Sequence, residues 1–382
     1  MDAPKKNKIT ALESLESIES ALALIAKLPD AQLQVPKDAI NKYKGAMHDA
    51  SRLQMLATWA RYSSNPILSF HSSNLTKKVI DDLGTYAPGI AAIRLATAVA
   101  VGDDVVSRRE AIRSATTKMI NTNYGKLSSV IHGRTIDLTC VSGVNIQYLR
   151  PLFSAREKGA VRDKAGMLDV LEELFEIINR GDADLIPRSF LEACSIFTSE
   201  LFLNTQEHAT SDHVGRPYAA HVEGVIVSWD EMEGRFYKKD FQGHKRLQQF
   251  WDREVVSIRG QEAIRCLQLS FFDTGPGFAS RISGKDFSEM SLDEEREYLG
   301  HCLVKNTSTK RQVGSGLGLA LVLDELRLLG GVIRIRSGRH SIFNCFSGKD
   351  DEDIYDFDDW NTTPFSRVAG AVVSILVPLR RK

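Results

Sequence analysis

Cysteine is scarce in this chain of 382 residues, and the five that occur, Cys140, Cys194, Cys266, Cys302 and Cys345, are far apart and odd in number. No two of them form the CxxC pair that closes a zinc site or a redox couple, which excludes a disulfide scaffold and a zinc ribbon and points to a reducing compartment. Charge of one sign is also lacking, because 49 Lys and Arg face 49 Asp and Glu. With no basic surplus to neutralise a phosphate backbone or an anionic bilayer, neither nucleic acid nor membrane is expected as a partner. No run approaches the roughly 18 apolar residues of a membrane span, and no apolar core follows the basic start MDAPKKNK as it would in a signal peptide. A soluble, cytoplasmic protein is the expectation. Glycine (27) and proline (11) are not enriched, so collagen-like and low-complexity architectures are excluded. What remains is an ordinary folded composition, 43% hydrophobic and 26% charged, long enough for two or three domains.

The apolar residues Ile9, Leu12, Leu15, Ile18, Leu22, Ile25 and Leu28 recur at helical spacing up to Pro29, which predicts one amphipathic helix. The same spacing suits a short coiled-coil seam, so a homodimer through this helix stays open. Leu33 and Val35 signal a strand, residues 38–61 a helix, 66–71 a strand, and a further helix starts near Asn74. The segment from Ile90 to Val101 reads as a buried helix and residues 107–121 as a polar one. Alternation on both sides of His132-Gly133 predicts a hairpin that closes the first domain. After a charged stretch, Met167–Arg180 reads as an amphipathic helix. The expected organisation is an α/β N-terminal domain over 1–164, a helical linker over 165–184 and a second domain over 185–382. The carboxylate-rich segment GKDDEDIYDFDD, residues 348–359, reads as a solvated loop.

Three motifs in the second domain carry chemistry. In RSFLEACSIFTSELFLNTQEHAT, Ser189 is placed to cap a helix on which Glu200, Asn204 and His208 are spaced four apart and share a face. In LQLSFFDTGPGF an apolar strand delivers Asp273 into a turn containing Gly275 and Gly277, where glycine lets a ligand approach the backbone. A carboxylate kept at such a strand end needs a partner, for instance an exocyclic amine. In VGSGLGLALV, Gly314, Gly316 and Gly318 lead into an apolar helix whose first amides can bind phosphate. The polar segment before these glycines is not a strand and no GxxxxGK[ST] run occurs, so neither a dinucleotide fold nor a P-loop is indicated. His208, His213 and His221 lie close in sequence but in no regular ligand spacing.

In this order the three motifs resemble the N, G1 and G2 boxes of the GHKL superfamily of ATP-binding domains, which includes gyrase B subunits, heat-shock chaperones, histidine kinases, mismatch-repair proteins and anti-sigma-factor kinases. The resemblance covers roughly residues 185–382, with GVIRIRS from Gly331 and GAVVSILVP from Gly370 similar to the family's last strands. It implies a C-terminal Bergerat-type α/β sandwich, a mixed sheet covered by helices, so that with the separate α/β N-terminal domain read from the alternation above the expected fold class is α/β. It implies ATP and Mg²⁺ as ligands. Asn204 would coordinate the metal, which takes its remaining ligands from phosphates and water, and Glu200 would orient or deprotonate the nucleophile. Asp273 would accept from the adenine amine, Gly275 and Gly277 would admit the base, and Gly314, Gly316 and Gly318 would cradle phosphates. His208 would touch phosphate or simply pack. Residues 278–313 would form the ATP lid, with Lys310 the preferred phosphate-binding cation ahead of Lys305 and Arg311.

The chain departs from sensor histidine kinases. His48, in GAMHDASRL, is the nearest approach to a phosphoacceptor, and the rest of that signature is missing. The segments Met232–Glu262 and Gly338–Ser366 are inserts a typical kinase ATPase domain does not need. With about four residues after Pro378, an S5-like transducer domain of the gyrase kind is not expected. The reading is therefore a kinase-like signalling component that transfers the γ-phosphoryl group to a protein partner chosen by the N-terminal domain. The alternatives are an ATP-hydrolysing conformational switch of the chaperone, gyrase or mismatch-repair kind, or a nucleotide sensor without turnover.

Overall fold

A computed structural model describes residues 6–9, 12–71, 73–142, 148–157, 159–179, 181, 183–241, 243–303, 317–347 and 353–380. The chain is α/β. Its N-terminal part alternates β1 (Lys6–Lys8), α1 (Leu15–Lys27), β2 (Gln32–Gln34), α2 (Lys37–Asn41), α3 (Ala46–Tyr62), β3 (Ile67–Phe70), α4 (Thr76–Leu83), α5 (Ala87–Leu95), β4 (Ala98–Val101) and β5 (Asp104–Ser107). Strands β1 to β4 are parallel in sequence order, and β5 folds back antiparallel on β4. Helix α1 starts at Ser14, whose side chain and that of Ser17 form a reciprocal capping box, satisfying two amides that a helix start leaves open. The helix expected from Ile9 thus begins later, and Lys6–Lys8 pair with Gln32–Gln34 instead.

The span 90–101, expected as one helix, splits into α5 and β4. A continuous apolar run fits a buried helix and a buried strand equally well, so periodicity could not place the break. Helices α6 (Arg108–Ala111) and α7 (Thr116–Asn123) follow, then the hairpin β6 (Ile131–His132) and β7 (Thr135–Val141).

That hairpin does not close an N-terminal domain. Strand β7 pairs antiparallel with β8 (Val222–Glu233) along its whole length, from Thr135 opposite Ser228 to Val141 opposite Val222. The nine-stranded sheet so formed also contains β9 (Val256–Ile258), β10 (Gln261–Asp273), β11 (Val332–Gly338), β12 (His340–Cys345), β13 (Asp358–Asp359) and β14 (Val368–Pro378), in the order β13-β12-β11-β14-β10-β8-β7-β6 with β9 on β10. All its pairings are antiparallel. The mixed sheet expected in the C-terminal half is found in the N-terminal half instead.

On one face of this sheet lie α8 (Lys164–Asn179), α9 (Arg188–Asn204) and α14 (Leu317–Leu329). The other face receives α3, on which every residue from Ala46 to Trp59 is buried. A helix with no solvent face needs packing on all sides, and α3 has it, lying against α1, α5 and strands β8, β10 and β14. One hydrophobic core runs from α1 through α3 into the nine-stranded sheet. The N-terminal part is therefore not the separate domain expected, because its central helix is half of the sheet's core.

The face that α3 covers is unusually polar. In β11, Ile333 and Ile335 alternate with Arg334 and Arg336, a pattern that reads as one apolar and one solvated face. Both arginines are buried, at 2% and 1% exposure. Arg336 donates from Nε and Nη2 to Glu19 of α1 at 2.9 and 3.0 Å, and Arg334 lies 3.7 Å from the same carboxylate. Between β8 and β11, α10 (Gly234–Phe241), α11 (Lys245–Glu254), α12 (Phe278–Ser283) and α13 (Leu292–Leu303) complete the described helices. Both expected inserts thus carry regular structure: α10, α11 and β9 in one, β12 and β13 in the other.

Candidate functional site

Helix α9 opens at Pro187, whose carbonyl accepts from Phe190 and Leu191 at 3.1 and 3.3 Å. Ser189 is not its cap. It lies inside the first turn and donates its hydroxyl to Glu325 of α14 at 2.8 Å. The helix packs lengthwise on α14, and Gly318 is where they approach most closely: a Cβ there would sit 2.6 Å from the Phe197 Cα. The Gly318 amide donates to Glu200 Oε2 at 3.0 Å, so the glutamate of the first motif caps the helix that follows the third. Asn204 is the last residue of α9 and is exposed. A single π-turn, Thr205–Ala209, follows, a device common at functional sites. His208 lies on this turn and is exposed, as Asn204 is. The His208 side chain is 44% exposed and lies 3.5 Å from the Glu207 carboxylate.

The second motif comes to the same helix. Strand β10 is buried throughout from Cys266 to Asp273, which is 7% exposed. Asp273 Oδ1 accepts from the Gly275 amide at 2.8 Å, and Oδ2 lies 3.6 Å from Arg281 Nη2 on α12. Gly275 is required by close approach, since a Cβ would meet Ala209 at 2.7 Å. Gly277, at φ +85°, caps α12, a conformation that glycine adopts without strain. The turn is braced by Gly370, whose amide donates to the Gly275 carbonyl at 2.7 Å.

A cavity of ≈ 20 Å³ lies beside Asp273, walled by Leu201, Phe202, Phe271 and Phe278 and bounded by Arg281. It has room for little more than a water molecule. Its wall is apolar and partly aromatic, and its charged edge is the Asp273–Arg281 pair. Residues 278–303, expected as a flexible lid, are largely helical in α12 and α13 and are tied to the sheet where Arg339 donates to Glu295 Oε2 at 2.5 Å. Lys310, Gly314 and Gly316, with Lys305 and Arg311, lie outside the described residues.

Several polar residues that no motif announced surround the turn. Thr274 Oγ1 accepts from the Val222 amide at 2.9 Å, and Arg61 of α3 donates to the Thr274 carbonyl at 3.1 Å. Glu223, the register partner of Asp273 on β8, is buried and holds Gln206 by a hydrogen bond. His221 lies 3.6 Å from Glu223 Oε2. Among the described residues no group of three or more His, Cys, Asp and Glu could hold a metal ion. Nor is any described helix long and apolar enough to cross a membrane.

No family model matches this chain, and no curated protein matches it. Among solved structures it is similar to the histidine kinase domain from the Erythrobacter litoralis EL346 blue-light activated histidine kinase, aligned over 70% of this chain and 85% of that one, at 13% identity and a TM-score of 0.20. At that score the likeness decides neither the fold nor the chemistry. His48, the nearest phosphoacceptor candidate, is 1% exposed with both ring nitrogens unpaired by hydrogen bonds. Burial holds its pKa down at about 4, so it sits in the core as a neutral ring.

Proposed function

We propose that this protein binds Mg-ATP beside the C-terminal part of α9, between the end of β10 and the start of α14, and that it is a GHKL-type, kinase-like signalling component. The supporting observation is the Glu200–Gly318 hydrogen bond. It joins a carboxylate suited to activating a nucleophile to the helix N-terminus suited to phosphate, while a second carboxylate, Asp273, lines the small cavity that Leu201 and Phe202 of α9 also line. In this reading Asp273 accepts from the base amine, Gly275 and Gly277 admit the base, and Gly318, with Gly314, Gly316 and Lys310, receives phosphate. Asn204 is the protein ligand of Mg²⁺, and Glu200 orients or deprotonates the attacking group. The metal would neutralise charge on the phosphates.

Because His48 is buried, the proposed acceptor is a separate polypeptide. The covering of the sheet by α3 favours a second reading, a conformational switch in which nucleotide state reaches the N-terminal half. Incubation with γ-labelled ATP and Mg²⁺, beside Glu200→Ala, separates the two. Label transferred to a partner from extract supports the kinase reading; free phosphate alone, lost in the variant, supports the switch. Neither signal despite ATP binding would leave a sensor and overturn both.

A further inference from the structure

Helix α3 is fastened to the nine-stranded sheet at three levels. At its start, Ala46 and Met47 donate their amides to Ser228 Oγ and Gln268 Oε1 at 2.8 and 3.0 Å. At its middle, Gln54 Nε2 donates to the carbonyls of Arg336 and Ala369 at 3.1 and 3.3 Å, and Thr58 Oγ1 accepts from the Ala369 amide at 3.0 Å. At its end, Arg61 donates from Nε to the Thr274 carbonyl at 3.1 Å and from Nη2 to the Ala220 carbonyl at 2.7 Å, its guanidinium lying 3.8 Å above the Tyr218 ring. Burial lowers the Arg61 pKa to about 10, which leaves it a cation at neutral pH.

Thr274 sits between Asp273 and Gly275. Its hydroxyl is fixed by Val222, the Gly275 carbonyl by Gly370, and its own carbonyl by Arg61. Asp273 is aimed by the backbone of this turn, because its Oδ1 is held by the Gly275 amide. Two carbonyls in different directions, plus an aromatic face, suit a planar fork of donors; an ammonium is a single point charge and cannot serve all three.

We propose that Arg61 is a positioning residue for the base-recognition carboxylate, through which the N-terminal half sets nucleotide affinity. The inference rests on the nucleotide reading above. Arg61 touches no ligand; it holds the turn from which Asp273 projects. By linkage, whatever loosens α3 from the sheet weakens base binding, and a bound base tightens α3 by the same factor.

The test uses the full chain and its Arg61→Lys and Arg61→Ala variants, with Kd for Mg-ATP and Mg-GTP and the thermal midpoint measured for each. Guanine presents a carbonyl where adenine presents its amine, so a well-aimed carboxylate discriminates between them. Arg61→Lys is expected to keep the thermal midpoint, to weaken ATP about tenfold, as loss of a hydrogen bond to a charged group implies, and to leave GTP nearly unchanged. Amide exchange in the segment 273–275 should quicken in the same variant without nucleotide. Equal weakening of ATP and GTP, or no change in either, would overturn the proposal while leaving the nucleotide reading standing. Wild-type protein that bound no ATP would overturn both. If Arg61→Ala does not fold, the lysine variant carries the test alone.

Discussion

The Gly318 amide donates to the Glu200 carboxylate at 3.0 Å, across an interface where a single added methyl would collide with the Phe197 backbone. The two residues are far apart in sequence, yet the glycine makes the contact possible by letting α14 settle on α9. Gly318→Ala should therefore cost about 1–3 kcal/mol of stability, the range for overpacking a rigid contact, and should part Glu200 from the helix start. Chemical denaturation gives the first effect and Mg-ATP titration the second. A variant as stable as the wild type would show that the two helices are not in this register.

Glu200→Gln separates capping from chemistry. The amide oxygen of glutamine still accepts from Gly318, so fold and nucleotide affinity should persist. The charge needed to orient or deprotonate a nucleophile is gone, and turnover or transfer should fall by about 10²–10⁴. Nucleotide affinity lost together with activity would instead assign Glu200 to binding.

Two buried guanidiniums, Arg334 and Arg336, share the Glu19 carboxylate. Removing one partner of such a group strands charge in the core, so Glu19→Ala should cost about 3–5 kcal/mol, read by urea unfolding. A loss below about 1 kcal/mol would mean that Arg334 and Arg336 reach water in solution.

The interface between α3 and the sheet also predicts a pH effect. Asp230 faces Gly45 at the start of α3 and accepts from Gln268 Nε2 at 3.3 Å. Burial raises its pKa from 3.8 to about 7, and the charges of Asp49, Glu233 and Glu231 add to the rise. A raised carboxyl pKa favours the protonated folded state. Its stabilisation is complete below the unfolded value near 4 and is lost as pH rises through about 7. Asp240, raised to about 6 by burial, has the same sign, whereas buried His48, lowered to about 4, contributes stability lost as pH falls from 6.5. Asp230→Asn isolates the first: its stability relative to wild type should rise between pH 5 and pH 8. A pH-independent difference would contradict the assignment.

What could be read from the sequence follows from how local each signal is. Glu200, Asp273, Gly275 and Gly318 stood out because a motif sits within a few residues, and the structure sets Gly318 against Glu200 of α9 and Gly275, which holds Asp273, against Ala209 of the turn that follows α9. The His132-Gly133 turn was legible as a hairpin, but its pairing with β8 lies some ninety positions away and left no local trace. Arg61 and Arg281 were missed for the same reason, since neither sits in a motif and both matter only through Thr274 and Asp273. The alternation of Ile and Arg in β11 separates an apolar from a polar face. It could not announce that α1 and α3 cover that face, because a buried ion pair with Glu19 and a solvated arginine look alike in a single sequence.

The most direct test of the account is calorimetric titration of the full chain with Mg-ATP, beside Asp273→Asn. Saturable binding to the wild type, weakened at least tenfold in the variant, is what a base-recognising carboxylate predicts. Absence of binding, or equal binding to both proteins, would contradict the proposed nucleotide site at α9, the end of β10 and the start of α14.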